Sequence, residues 1–175
     1  MANVLMIIAP ERFRDEELFV TKEVLEIAGH ATVIACIKKG ICSGSRGGFA
    51  TSTLTLDEVQ TEDFDAVVFV GGGGSKMYFA NNECFRIAIE MFLDGKTVAA
   101  ICLAPVILAN AGILKGKNAT VAGTESKTIE SKGAKYAGPG VTVDGNVVTG
   151  NGPKCSKMFG QMINELLKRP GYLPQ

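Results

Sequence analysis

The sequence predicts an α/β protein with a mostly parallel central sheet and helices on both faces. Two observations carry that expectation. Short β-branched and apolar runs recur at Val4 to Ala9, Thr32 to Ile37, Asp65 to Val70 and Thr97 to Ile101. Each is continuously apolar rather than alternating, as in strands buried on both faces. Helical spacing fills the gaps between them, and strand–helix–strand alternation builds right-handed crossovers onto a parallel sheet.

Taken in order, the first helix is expected over about Asp15 to Ala28, stopping at Gly29. Ile41 to Leu56 breaks the rhythm with Ser-Gly-Ser-Arg-Gly-Gly and a Thr-rich run. It reads as loops with a short strand or hairpin added to the sheet edge. Phe85, Ala88, Ile89, Phe92 and Leu93 fall at helical spacing after Asn81 or Asn82, which can cap, and before Gly95. Val141 to Thr149 reads as a hairpin turning at Asp144-Gly145. Pro153 then opens a last helix with Cys155, Met158, Phe159, Met162, Ile163, Leu166 and Leu167 on its apolar stripe, and Pro170 and Pro174 end regular structure.

Composition narrows the function classes. The 175 residues, 46% of them hydrophobic, suit one compact domain spanning 1–175, large enough to bury roughly 70% of its unfolded surface without a staple. Eighteen basic and 18 acidic residues cancel, so no electrostatic footprint for nucleic acid or an anionic membrane is present. No apolar run approaches the roughly 20 residues of a membrane span. The apolar N-terminal run lacks a basic start and halts at Pro10, unlike a signal peptide. Five cysteines with no C-x-x-C pair fit neither a disulfide framework nor a zinc site. Reduced thiols in a cytoplasm are expected, and neither metal nor cofactor.

Chemistry concentrates at three places. In Ala100-Ile101-Cys102-Leu103-Ala104-Pro105 a buried strand runs straight into a cysteine, with proline placed for the first turn of a helix that Gly112 ends. This is the layout of a nucleophile elbow, whose strained turn needs small neighbours, here Ala100 and Ala104. Helix N–H groups beside Cys102 are expected to lower its pKa. The alternative is a buried cysteine that only packs. Gly71-Gly72-Gly73-Gly74 follows another strand, so its backbone N–H groups can face a ligand and form half of an oxyanion hole. Its spacing misses the phosphate-binding and dinucleotide motifs. In Phe13-Arg14-Asp15-Glu16-Glu17-Leu18, Asp15 and Glu16 complement a helix dipole, whereas Glu17 shares its face with Val20, Thr21 and Val24. A carboxyl there can be drawn into a cleft and kept protonated beside a thiolate. His30 lies in a helix-to-strand turn, at the wrong end of the sheet for catalysis. Cys36 and Cys155 read as packing residues, while Cys42 and Cys84 stay open as oxidisable thiols.

These segments, with Gly150-Asn151-Gly152-Pro153 before the last helix, resemble the ThiJ/PfpI superfamily over nearly the whole chain. That group includes the Parkinsonism-associated deglycase and intracellular proteases of PfpI type. The resemblance implies a flavodoxin-like sandwich, usually a homodimer, with Cys102 as the oxidation-prone nucleophile and Glu17 as the acid that hydrogen-bonds it. It also implies an oxyanion hole from the N–H groups of Gly72 and Leu103, and likens Arg46 to an arginine near the dimer interface. Two departures matter. Leu103 stands where the protease-like branch has histidine, and Ala122 aligns with the histidine of the deglycase-like branch. The expected function is a cofactor-independent glyoxalase III or deglycase acting on α-oxoaldehydes such as methylglyoxal or their adducts. A redox-sensing protein with an oxidisable Cys102 is the alternative, and a cysteine peptidase ranks behind both.

Overall fold

The computed structural model describes residues 1–169. In chain order the strands and helices are β1 (Asn3–Ile7), β2 (Glu11–Phe13), α1 (Asp15–Ile27), β3 (Ala31–Cys36), β4 (Gly40–Gly44), β5 (Phe49–Ser52), β6 (Leu54–Thr55), β7 (Ala66–Phe69), α2 (Asn82–Leu93), β8 (Thr97–Ile101), α3 (Pro105–Asn110), β9 (Asn118–Ala119), α4 (Ser126–Ser131), β10 (Lys135–Tyr136), β11 (Val141–Asp144), β12 (Val147–Gly150) and α5 (Ser156–Lys168). Seven strands form the main sheet in the order β11-β12-β8-β7-β1-β3-β6. All its pairings are parallel except that of β11 with β12.

The order of strands locates a crevice. From β1 the chain crosses to β3 on one side, and later places β7 against the other side of β1. Loops leaving the carboxyl ends of β1 and β7 therefore diverge, which is where open α/β sheets bind ligands. The continuous apolar runs have the buried-both-faces character expected of them, since Val4 to Ala9 and Ala66 to Phe69 are almost wholly inaccessible. One face packs Leu18 and Leu25 of α1 with Phe159, Ile163 and Leu166 of α5. The other packs Ile87 and Met91 of α2 with Val106 to Ala109 of α3 and Ile129 of α4.

Four local expectations need correction. The hairpin β4–β5 does not extend the main sheet; it joins β2 in a separate three-stranded sheet, and only β6 reaches the main edge. In α2 the buried stripe is Cys84, Ile87, Ala88 and Met91, with Leu93 70% exposed. Because apolar residues occupy most of that helix, sequence periodicity alone leaves its phase ambiguous, and Arg86 settles it by reaching the Leu56 and Val59 carbonyls. In α5 Met158 faces water, and a short 3₁₀ turn at Pro153–Cys155 precedes the helix. At the β11–β12 turn the central pair is Gly145-Asn146, with positive φ at Gly145. Pro170 and Pro174 lie outside the described residues. No helix among the described residues is long and apolar enough to cross a membrane.

Phe159 is fully buried between α5 and the sheet, whereas Met158 is 49% exposed one residue earlier. Phe159→Ala is expected to lower the unfolding free energy by about 3–5 kcal/mol, and Met158→Ala by less than about 0.5 kcal/mol. Urea melts of the two variants check the assignment of the helix face.

Candidate active site

Glu17 enters the crevice from the first turn of α1, just after β1 and β2. It is the one acidic residue of that turn with no accessible surface. Asp15 and Glu16, expected only to complement the dipole, do more. Asp15 is buried and accepts the N–H groups of Arg46 and Gly48 at 2.9 and 2.7 Å, which fastens the β4–β5 turn to α1. Glu16 holds the guanidinium of Arg14 at 2.7 Å.

Cys102 enters from the end of β8. Its φ of 66° lies in the left-handed region, a strained conformation for a residue with a side chain and the one an elbow requires. The Cys102 N–H donates to Gly150 O at 2.9 Å, and its carbonyl accepts the Ala122 N–H at 2.7 Å. The strained turn is thus held from both sides, by the Gly150 segment and by the loop carrying Ala122. Ala100 and Ala104 flank it and are both inaccessible. Cys102 itself keeps partial exposure.

The glycine loop after β7 decides how close these groups come. A side chain at Gly71 would begin 2.6 Å from Glu17 Oε1 and 2.6 Å from Cys102 Cβ. Only a bare Cα fits between acid and thiol. Gly72, at φ 97°, backs onto the Arg12 carbonyl and the Arg14 N–H, each 2.5 Å from where its Cβ would stand. The Arg14 N–H also donates to Gly71 O at 3.0 Å, tying the start of α1 to this loop. The N–H groups of Gly72 and Leu103 are both directed at the Cys102 sulfur. All four residues expected at the site, Cys102, Glu17, Gly72 and Leu103, therefore converge.

The electrostatics correct one expectation. Burial pushes the Cys102 thiol up to about 11, and the neighbouring Glu17 charge adds to that rise. The Gly72 and Leu103 N–H groups pull it down without prevailing. Helix-terminal N–H groups were expected to lower it, but desolvation and a like charge are the larger effects. Burial likewise raises Glu17 to about 8, against the weaker pull of the Cys102 hydrogen bond and the Arg14 charge. Neither Glu17 oxygen has a well-formed hydrogen-bond partner in the protein, and no other buried side-chain polar atom among the described residues is left so. The weak contacts with the thiol and Gly71 do not satisfy them. Two buried groups of like charge resist ionising together, so both hold their protons through most of the neutral range and the pair gives up its first proton only near pH 8.

The remaining candidates fall away from this centre. His30 sits at the opposite end of the sheet, accepting the Ala2 N–H at 3.1 Å on Nδ1 and contacting Asn164 Oδ1 at 2.8 Å through Nε2. Cys42 and Cys84 are wholly buried, with burial pushing their thiols up to about 11 and about 12. Neither is an exposed oxidisable thiol. Cys36 is buried in β3, while Cys155 lies at the mouth of α5 rather than on its stripe, its thiol 3.0 Å from Gly152 O. Arg46 is exposed on the β4–β5 turn. Among the described residues no three His, Cys, Asp or Glu side chains are grouped as a metal ion requires. Nothing in the sequence singles out Arg12, which the structure brings to the rim of the glycine loop.

A parallel α/β sandwich with a cysteine on a strained elbow and a buried acid across a glycine loop defines the class of α/β proteins that carry a thiol at the sheet's carboxyl edge. The chain belongs to the DJ-1/PfpI family, whose model matches residues 2–166. It is 43% identical over 171 residues to an uncharacterized protein of Methanocaldococcus jannaschii, covering 96% of this chain and 83% of that one. It is 36% identical over 165 residues to the deglycase PfpI of Pyrococcus furiosus, covering 94% and 99%. The crystal structure of a ThiJ/PfpI domain protein from Brachyspira murdochii superposes with a TM-score of 0.92 at 34% identity, covering 94% and 95%.

Glu17 ionises near 4.5 in the unfolded chain and near 8 in the fold, so between these values the native state binds the extra proton. Stability then falls as pH rises through that window and is level above it. Glu17→Gln lacks this dependence. Relative to the wild type it is expected to gain on the order of 2–4 kcal/mol between pH 4.5 and pH 8. Urea melts at both ends measure the difference, and parallel profiles would mean an unperturbed carboxyl.

Proposed function

We propose that the protein is a cofactor-independent enzyme of glyoxalase III or deglycase type, acting on α-oxoaldehydes such as methylglyoxal or on their adducts. The observation that carries this reading is the unpartnered, buried Glu17 set against a partly exposed Cys102 under two backbone N–H groups. Relatives named as deglycases support it.

In this mechanism the one-proton state of the pair, reached as the first proton leaves near pH 8, supplies both reagents. With the proton on Glu17, the Cys102 thiolate attacks the aldehyde carbon, forming the S–C bond of a hemithioacetal. The N–H groups of Gly72 and Leu103 hold the oxyanion that develops. The alkoxide takes the Glu17 proton, and the carboxylate so formed removes the hydrogen from the former aldehyde carbon and returns it to the adjacent carbonyl carbon. Tautomerisation leaves a thioester of a 2-hydroxy acid on Cys102. Water cleaves it, releasing the acid and restoring the thiol. For a hemiaminal adduct the thiolate displaces the amine at the carbinol carbon, the S–C bond forming as the C–N bond breaks, and the leaving nitrogen takes the Glu17 proton. Peptide hydrolysis is less well served, because Leu103 and Ala122 occupy the positions where an imidazole is expected.

Cys102→Ser is expected to lower kcat/KM for methylglyoxal by at least about 10³, and Glu17→Gln to lower kcat by about 10²–10⁴. Conversion at the wild-type rate by either variant would sink the mechanism. A protective redox role has its own supporting observation: Cys42 and Cys84 are buried while Cys102 is accessible and faces a carboxyl able to donate to a sulfinate. Peroxide treatment followed by peptide mass spectrometry is expected to find oxidation at Cys102 ahead of Cys42 and Cys84, and the reverse order would remove this role.

A further inference from the structure

Apart from glycines, only Arg12 and Cys102 among the described residues have positive φ, at 57° and 66°. The elbow explains Cys102. Arg12 needs another reason, because a side-chain-bearing residue is strained there. The pairing of β2 with β4 supplies the geometry: Glu11 faces Ser43 and Phe13 faces Gly44, so Arg12 is the extra residue of a bulge. Bulges re-aim a side chain and recur beside active sites.

The guanidinium of Arg12 is turned toward the glycine loop. Its Nη1 lies 3.7 Å from where a Gly73 side chain would begin, and it is the only group within 4 Å of that point. Gly73 directly follows Gly72, whose N–H faces the Cys102 sulfur. Arg14 is committed to Glu16, but Arg12 meets no carboxylate among the described residues. An exposed, unpaired, planar cation is thus held in a strained backbone one residue beyond the oxyanion loop. Its five N–H donors suit a carboxylate taken side-on.

We propose that Arg12 forms a carboxylate-binding subsite beside Cys102, which favours small electrophiles that also carry a carboxylate. This deepens the proposed function by naming its substrate class, α-oxoaldehydes with a carboxylate such as 4,5-dioxopentanoate, and it rests on Cys102 as the attacking thiol. The rearrangement of that compound adds one water and gives 2-hydroxyglutarate, so no oxidant or reductant is needed.

The test uses two alkylating agents of nearly equal size, anionic iodoacetate and neutral iodoacetamide. Each forms an S–C bond to Cys102 while iodide leaves with the C–I electron pair, so the rate ratio reads charge recognition without requiring turnover. Rates at Cys102 are followed by peptide mass spectrometry, and free cysteine supplies the intrinsic ratio. The wild type is expected to favour iodoacetate over that reference by about tenfold, the worth of one charge-assisted pair. Arg12→Ala and Arg12→Gln are expected to abolish the preference, with iodoacetamide reporting any general damage to the thiol. Arg12→Lys keeps the charge without the fork and is expected to retain part of it. The exposed Lys76 near the same loop gives the control, and Lys76→Ala should change the ratio by less than about twofold. An unchanged ratio in Arg12→Ala, or an equal loss in Lys76→Ala, overturns the subsite. Failure of methylglyoxal turnover would instead strike the proposed reaction and leave this ratio readable.

Discussion

The site depends on one unfavourable burial. Glu17 lies in the interior with no cation against it and no hydrogen bond that satisfies either oxygen. An ionised carboxylate in that place loses several kcal/mol of hydration and regains little. The carboxyl therefore keeps its proton to about pH 8, and the same desolvation holds the nearby thiol near 11. Arg14, the one cation whose charge reaches both groups, is drawn aside by Glu16. A stronger ion pair with Glu17 would have fixed the carboxylate in its ionised form and left no proton there to give.

The scaffold supplies this arrangement by bringing three loops to one edge. Glu17 comes from the start of α1, Gly71 and Gly72 follow β7, and Cys102 follows β8. Those three parallel strands lie side by side, so their carboxyl ends deliver the loops to one crevice. Close approach then falls to glycine. Gly71 leaves space that a methyl group would take from both acid and thiol, and Gly72 lies against the backbone of Arg12 and Arg14. The strain at Cys102 is carried by hydrogen bonds to Gly150 and Ala122, which belong to segments far along the chain. Removing a side chain at one place and straining a backbone at another serve the same end.

Much of this is legible in the sequence because it is local. Continuous apolar runs mark β1, β3, β7 and β8, and an apolar strand meeting Cys102, small neighbours and Pro105 marks the elbow. Glu17 stands out by its apolar face. What escapes is set by partners distant in sequence. Asp15 looks like any acid in a first helical turn until the β4–β5 turn folds onto it. The β4–β5 hairpin is visible as turn chemistry, but its pairing with β2 is a tertiary choice. Arg12 takes its conformation from a bulge that exists only once β2 meets β4. The thiol pKa escapes for a different reason: sequence shows the favourable N–H groups, while the desolvation that outweighs them appears only with packing.

The missing imidazole then shapes which chemistry fits. Histidine near a thiol can accept its proton and later donate one to a leaving amine some distance away, which is what peptide cleavage asks. Here Leu103 follows the thiol and Ala122 bonds to its carbonyl, neither of them an imidazole, and His30 is occupied at the other end of the sheet. One carboxyl poised near neutrality remains. It is well suited to moving a proton between adjacent carbons, because both positions lie within reach of a single group that is reset after each transfer. Such a site can dispense with the second base that hydrolysis of an amide demands. The same carboxyl, protonated when Cys102 is charged, adds no negative charge of its own to the crevice. That neutrality is what allows an anionic substrate to approach Arg12 without meeting a carboxylate beside the thiol.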